Sequence, residues 1–446
     1  MKTHKIVCMA SLLALGLLAA CGDDSSASSL VLPDTSEIIV SSSARNTFVK
    51  TTFELGSCNS NNVNEQIYVT DELEFYTCTY SYSIYDYTWI GETPKSSSSI
   101  AKSSSSSAKS SSSVQSSSSV KSSSSVQSSS SVYIYTNVSE VWTGKMEKPS
   151  TEYIDGKSYM LIYTAEELAY FADQVTNKGE EKINAKLMQH IRLNPDNMVD
   201  EKGNLLVAQS SLNEWTPIGG GTNKIMYKGH FNGNGYTISG IYVNKPAFER
   251  AGFIGTLGGT SSSDSGFVRF LGIENSYIVG GEQVGGIVGR MNYAEIQQVF
   301  NRKSYVKGSK YVGGIVGYKN YGWLYYAYNS GMIVSSDDRA SGIAGINDNT
   351  SSSVQTSYNV GFLIAPNKGT TAGISTTANS SKDCFYIAQA DREITPNGAA
   401  EKTKSFMQSD DFVSTLNGLS FQNIWTTDDS DVNDGYPVFT WEKSKY

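Results

Sequence analysis

The sequence predicts an all-β solenoid, a parallel β-helix, on three periodic observations. The first is a quartet of Gly-x-x-Gly steps: Gly252-Phe253-Ile254-Gly255, Gly286-Ile287-Val288-Gly289, Gly314-Ile315-Val316-Gly317 and Gly342-Ile343-Ala344-Gly345. A faded fifth follows at Gly373-Ile374-Ser375-Thr376, and the spacings are 34, 28, 28 and 31 residues. A period of this length, alternating apolar runs with glycine, marks units that cannot bury their own hydrophobic face and gain a core only by stacking. The second observation is a column of asparagines. Asn275, Asn301, Asn329 and Asn359 stand 11, 13, 13 and 14 residues before the first glycine of their unit, and Phe300, Tyr328 and Tyr358 precede the last three. Asparagines stacked at one bend hydrogen-bond through their carboxamides and tolerate left-handed backbone angles, so the column is read as a structural ladder. The third is Ile296, Leu324 and Val354, spaced 28 and 30 residues apart, which are expected to fill the interior. With coils rising about 4.8 Å each, five or six turns make a rod of about 25–30 Å plus caps.

The segments before the repeats follow in chain order. Residues 1–20 read as a signal peptide, because Lys2 and Lys5 precede an apolar run from Ile6 to Ala20 that is, at about 15 residues, too short for a spanning helix. The run ends in Leu18-Ala19-Ala20-Cys21, which resembles the lipobox of bacterial lipoproteins. That resemblance implies cleavage before Cys21 and lipid attachment there; an ordinary signal peptide with an incidental cysteine is the plain alternative. Residues 21–45 then form a lipid-anchored tether whose start, Gly22-Asp23-Asp24-Ser25-Ser26, is similar to acidic tags that send some lipoproteins to the outer face. The implied location is the bacterial outer membrane, lipid-anchored at the cell surface, with lipid as the membrane contact.

Five cysteines divide among these segments. Cys8 falls in the signal and Cys21 takes the lipid, which leaves Cys58, Cys78 and Cys384. In an oxidising compartment Cys58 and Cys78 are expected to bridge, closing a loop of about 20 residues and contributing on the order of 3 kcal/mol. Cys384 is expected to act as a small buried hydrophobe. The bridge would staple a small β module over residues 46–94, where Phe75 to Tyr82 alternates in strand fashion and Trp89-Ile90 closes the pattern; a spacer or small recognition module is its expected role. Residues 95–132 are serine blocks broken by Val-Gln and Val-Lys pairs, too polar to offset chain entropy by burial. They form a disordered linker with a coil reach of about 35 Å. The composition resembles serine-rich tethers between modules of secreted proteins from fibre-degrading bacteria, and it suits O-glycosylation.

Residues 133–446 are one long domain with a helical signal at each end. Thr164-Ala165-Glu166-Glu167 is a capping box, followed by Leu168, Ala169, Phe171, Ala172 and Val175 on one helical face and Gly179 as the stop. Near the other end Ser409-Asp410-Asp411 opens a helix through Leu416 that Asn417-Gly418 closes. Both helices are expected to cap open ends of the stack.

Gly286-Ile287-Val288-Gly289 and its copies resemble the GLUG motif of large bacterial surface proteins, including regions beside IgA-specific metallopeptidase domains. The likeness extends to Ile162 through Leu168, Trp215-Thr216-Pro217-Ile218-Gly219, Phe231 through Gly240, and Gly435-Tyr436-Pro437-Val438. It implies a right-handed parallel β-helix with an adhesive or undefined role, without the peptidase. Where many relatives read Phe-Asp-Gly-Asn-Gly this chain has Asn232, so no carboxylate acts there.

Chemistry is sparse. A metallopeptidase helix needs His-Glu-x-x-His, which is absent; the three histidines are His4, His190 and His230, in unlike contexts. No Gly-x-Ser-x-Gly elbow is present either. Asp337-Asp338-Arg339 is the nearest approach to a carboxylate cluster and reads as a polar corner. Asp428 through Gly435 has the oxygen density of a calcium loop, but its glycine comes one place late and Thr440 stands where the twelfth-position glutamate belongs. No cofactor or metal is therefore expected. Net charge is −8 and no Lys/Arg block follows the signal, which argues against a nucleic-acid partner. Aromatics are the remaining lead. Tyr318, Tyr321, Trp323, Tyr325, Tyr326 and Tyr328 crowd eleven residues, with Tyr293, Tyr305 and Tyr311 one turn away. If Leu324 points inward, Trp323 and Tyr325 face solvent, where flat rings suit stacking of sugars; the plain alternative is that Tyr merely suits sheet faces. The expectation is an exported, non-catalytic surface protein whose β-helix serves adhesion to an extracellular polysaccharide, a host or cell-surface glycan, or a protein. A carbohydrate-active enzyme, lyase or glycosidase, is the rival, and a purely structural stalk the third reading.

Overall fold

Pairing of each strand with the strand one period later organises the domain. The computed structural model describes the strands Phe48–Val49, Gln66–Val69, Glu74–Ser81 and Asp86–Glu92, and residues 137–443 apart from 221–224, 350–351, 367–370, 379, 391–392 and 421. The four early strands form a sheet of their own, parallel at the first pair and antiparallel at the other two. Within it Cys78 is buried. Cys58, the signal, Cys21, the tether and the serine linker lie outside the described residues. Cys384 is free and buried, and burial pushes its thiol up to about 12.

A coil of the solenoid has four strands. One coil comprises Phe267–Glu274, Tyr277–Val279, Gln283–Gly285 and Val288–Met291. The next comprises Ala294–Arg302, Tyr305–Gly308, Tyr311–Gly313 and Val316–Lys319. Equivalent strands pair in parallel, so four sheets run along one axis; the longest extends from the hairpin Ser150–Ile154/Lys157–Ile162 to Ala400–Lys402. Ile296, Leu324 and Val354 stand opposite one another and are fully buried. The core is this stacked interior, a single cluster from Ile162 to Ile394.

The glycine and asparagine columns meet inside it. Asn301 and Asn329 pair in register, as do Asn329 and Asn359, and all three are fully buried. Asn301 Nδ2 donates to Asn329 Oδ1 at 2.9 Å, and Asn329 Nδ2 to Asn359 Oδ1 at 2.8 Å. A Cβ added to Gly286, Gly314 or Gly342 would strike the side chain of Asn301, Asn329 or Asn359. The first glycine of each step thus makes room for the carboxamide of the following coil. Asn275 is a correction to the expected ladder: Ile273 holds the register position opposite Asn301, and Asn275 lies beyond it in the left-handed region at φ 45°. Its unit is shorter between asparagine and glycine, and the offset takes it out of line.

The start of the stack is capped as expected. Helix α1, Ala165–Thr176, carries the capping box, with Glu167 N donating to Thr164 Oγ1 and Thr164 N to Glu167 Oε2. Its Phe171 packs on Tyr227 and Phe231 at the first coil. The C-terminal helices correct the expectation. Helix α2, Lys404–Met407, leads into helix α3, Asp410–Gly418, and the chain runs back along the flank rather than across the end. Phe412 meets Phe385, Trp425 meets Tyr358, Phe439 meets Tyr328, and Trp441 of helix α4, Thr440–Lys443, stacks on Phe300 at 5.8 Å. The aromatics before the asparagines are the reason. Phe300, Tyr328 and Tyr358 stack outward with centroids 4.9 and 5.3 Å apart, an apolar stripe that needs a cover.

Candidate functional site

The long sheet is bent into two arms by one residue per coil. Phe270, Gln298, Tyr326, Thr356 and Asp383 all adopt left-handed angles, φ 42° to 55°. Pairing skips them: Arg269 faces Gln297 and Leu271 faces Val299, with the same step one coil on from Tyr325 to Ala327. Beyond the bend, outward residues lie under the C-terminal segment. Before it, they form a face on which Trp323 and Lys382 are exposed while Asn232 and Gln297 are buried.

Two rows cross this face. In the first, His230, Phe267, Glu295 and Trp323 are successive partners. In the second the partners are Lys186, Asn232, Arg269, Gln297, Tyr325, Gln355 and Lys382. Val268, Ile296 and Leu324 between the rows are fully buried, so alternation turns the row residues outward. Trp323 is 50 % exposed, and Tyr325 beside it is half-buried, its hydroxyl donating to Glu295. Tyr321, at the corner before the strand, is 38 % exposed and stacks on Tyr293 with centroids 4.3 Å apart and planes 11° from parallel.

The other aromatics fall elsewhere. Tyr326 is the left-handed residue, set edge-on to Tyr325 and packed against the flank cluster, so it does not extend the platform. Tyr318 sits on the fourth sheet beneath the Arg290 guanidinium and donates to Asp348; burial and that carboxylate push its hydroxyl up to about 12. Tyr305 stacks on Tyr277 in the second sheet, and Tyr311 meets Tyr318 edge-on. Tyr328 is buried under the flank cover.

The face also has a basic end, which sequence reasoning missed because its basic members come singly from three strands. Lys157 Nζ lies 3.1 Å from His230 Nε2, the His230 ring is 5.4 Å from Phe267, and the Arg269 guanidinium lies over Phe267 at 5.6 Å. Burial, then the charges of Lys157 and Arg269, lower the His230 imidazole to about 4, which keeps it neutral at pH 7. Asn232 has a local role: its Oδ1 accepts from Asn234 N and closes a turn.

Groups suited to catalysis stay apart. His190 is buried, its Nδ1 shared with Thr237, on a different strand from His230. Arg339 pairs with its neighbour Asp338 and lies over Tyr311, while the amides of Asp337 and Asp338 both donate to Ser309 O. In the acidic turn the Asp428 carboxylate accepts from the amides of Val432, Asn433 and Gly435, and Asp429 pairs with Lys443. Among the described residues no three His, Cys, Asp or Glu side chains converge as metal ligands. A small cleft beside α1, lined by Trp142, Met146, Asp173, Glu214 and Trp215, holds none of the residues above.

Fold and face together define a class: a repeat-built parallel β solenoid with an open, ring-bearing flank and no assembled catalytic group among the described residues. No family model matches the chain. It is similar to a candidate Gly-rich membrane protein of Evansella cellulosilytica, 34 % identical over 87 residues, which are 19 % of this chain and 9 % of that protein. It is similar also to halomucin of Haloquadratum walsbyi, 40 % identical over 73 residues, 16 % of this chain and 1 % of halomucin. The chain thus spans less than a tenth of these curated relatives. Among solved structures it is similar to a candidate immunoglobulin A1 protease from Bacteroides ovatus, with 16 % identity and a TM-score of 0.44, over 66 % of this chain and 95 % of that one. Among the described residues no helix is long and apolar enough to cross a membrane.

Proposed function

We propose that the protein is an exported, lipid-anchored, non-catalytic surface lipoprotein whose β-helix binds polysaccharide and so serves adhesion. In this reading Cys21 carries the lipid at the outer membrane, Cys58 and Cys78 bridge in the small module, and the serine tract holds the solenoid away from the cell. The coils are right-handed, as strand-to-parallel-strand crossovers generally are, and the repeats are of the GLUG type. The observation behind it is Trp323, half exposed on the sheet face beside Tyr325 and near the paired rings of Tyr293 and Tyr321. Exposed rings on a rigid sheet offer a sugar's apolar face a partner without ordering cost. The test is retention of the full chain on insoluble polysaccharides, chosen from a glycan array. The double variant Trp323→Ala/Tyr325→Ala should lose at least about ten-fold in affinity, about 1.4 kcal/mol. Unchanged retention, or no ligand on the array, would leave the stalk reading in its place.

A further inference from the structure

The cleft beside α1 is walled by aromatic rings and edged by negative charge. Its cavity of about 80 Å³ exists because the helix row that borders it, Ala169, Ala172 and Thr176, carries small side chains where longer ones would fill the space. Two indoles stand beside that row. Trp142 is half-buried and Trp215 is 2 % exposed, and they meet edge to face with centroids 6.2 Å apart and planes at 70°. Both rings are pinned: Trp142 Nε1 donates to Lys145 O at 2.7 Å, and Trp215 Nε1 donates to Phe253 O at 3.0 Å. With each N–H already engaged, the rings offer a guest their π surface. The segment carrying Trp142 is tied to α1, since Thr143 N and Oγ1 both donate to Glu166 Oε1, at 2.9 and 2.7 Å. Met146 adds a polarizable thioether to the lining.

The charged lining is negative. It holds the carboxylates of Asp173 and Glu214 and no Lys, Arg or His; Lys145, Lys178 and Lys245 are near in sequence or space but do not line it. Asp173 is met by carboxamides, Asn177 Nδ2 at 2.8 Å and Gln174 Nε2 at 3.4 Å, which leave its charge in place. Glu214 shares its Oε2 with Lys245 Nζ at 3.0 Å, in a partly exposed pair. Asp173 and Thr176 also belong to the last turn of α1, which holds no basic residue, so the negative end of the helix dipole adds to the two carboxylates.

We infer that this cleft binds a small organic cation, a methylated ammonium group, with its methyl surface against Trp142, Trp215 and Met146 and its charge toward Asp173 and Glu214. A primary ammonium has three N–H donors to satisfy, and walls of indole, thioether and alanine answer few of them. A methylated one has its charge spread over apolar methyls, which ring faces attract. None of these residues belongs to the Trp323 face, so the two sites are separable by mutation.

Isothermal titration of the full chain with choline chloride tests this, against 3,3-dimethylbutanol, its uncharged carbon isostere, and ethanolamine, its primary-amine counterpart. Choline should bind saturably with a Kd of about 1 mM, at least about ten-fold more tightly than either control. Trp142→Ala should weaken it at least about ten-fold. The near-isosteric pair Asp173→Asn/Glu214→Gln should abolish the preference for choline over the carbon isostere, and Trp323→Ala should leave choline binding unmoved. Thermal melts of each variant separate lost binding from lost folding. Co-sedimentation with phosphatidylcholine vesicles distinguishes the two sources of such a group: pelleting that Trp142→Ala abolishes assigns a lipid headgroup, and choline binding without pelleting assigns a soluble ion. The absence of saturable heat up to about 30 mM choline, or equal binding of either control, would overturn the assignment. Loss of binding in Trp323→Ala but not in Trp142→Ala would also overturn it.

Discussion

Lys319 shows how tightly the coil interior specifies single side chains. It is fully buried at the end of Val316–Lys319, and its Nζ donates to Asn347 Oδ1, Ser352 O and Ser352 Oγ at 3.2, 2.8 and 2.9 Å, all neutral acceptors. Burial lowers its pKa from 10.5 to about 7. Between those values the unfolded chain holds a proton that the folded chain has released, so this residue adds stability as pH rises through that window and withdraws it as pH falls. Relative to Lys319→Met, the wild type should gain about 2 kcal/mol of unfolding free energy when pH is raised by about two units from near 7.5. Paired urea titrations at both pH values measure it, and parallel pH dependence in the two proteins would refute it. Nothing in the sequence marks Lys319, whose period-mates are Met291 and Asn347. By contrast the asparagine ladder was legible, because one residue type recurs at one phase. Even there Asn275 misled, since identity recurred where register did not.

At the scale of elements, the bend in the long sheet and its cover depend on each other. The five left-handed residues that make the bend are Phe, Gln, Tyr, Thr and Asp, none of them glycine. Such backbone costs on the order of 1 kcal/mol per residue, and it leaves no compositional trace. Period and strand alternation could therefore be read from sequence, but the point at which alternation reverses could not. Past the bend, Glu274, Arg302 and Glu442 form a buried ion network. Arg302 Nε donates to Glu274, and Nη1 donates to Glu442 Oε2 at 3.1 Å and to Tyr328 Oη at 3.2 Å, with the guanidinium over the Phe300 ring. Removing the cation strands two carboxylates out of water. Arg302→Met should cost about 3–5 kcal/mol in denaturant unfolding, and a loss under about 1 kcal/mol would show that water or protonation replaces it.

As a whole the domain holds two apolar bodies, the stacked interior and the flank cluster from Phe270 to Trp441, separated by the wall of the long sheet. The interior repeats and announces itself through periodicity. The flank pairs residues about 75 to 140 positions apart, such as Tyr358 with Asn433 and Arg302 with Glu442, and no local pattern reports such distances. Two bodies on opposite sides of one wall can open separately. Phe439→Ala, which should cost about 3–5 kcal/mol, is expected to speed hydrogen exchange in α3 and leave the ladders over 286–345 protected. Simultaneous loss of protection in both would show a single cooperative unit.

That separation has a bearing on the order in which the molecule is made. Synthesis proceeds from the amino end, so coils can pile up while Phe300, Tyr328 and Tyr358 still lie bare along one side, because the residues that roof them, Phe412 to Trp441, emerge only after the coils. Until then the nascent rod is greasy on one edge, open to contact with any other apolar surface.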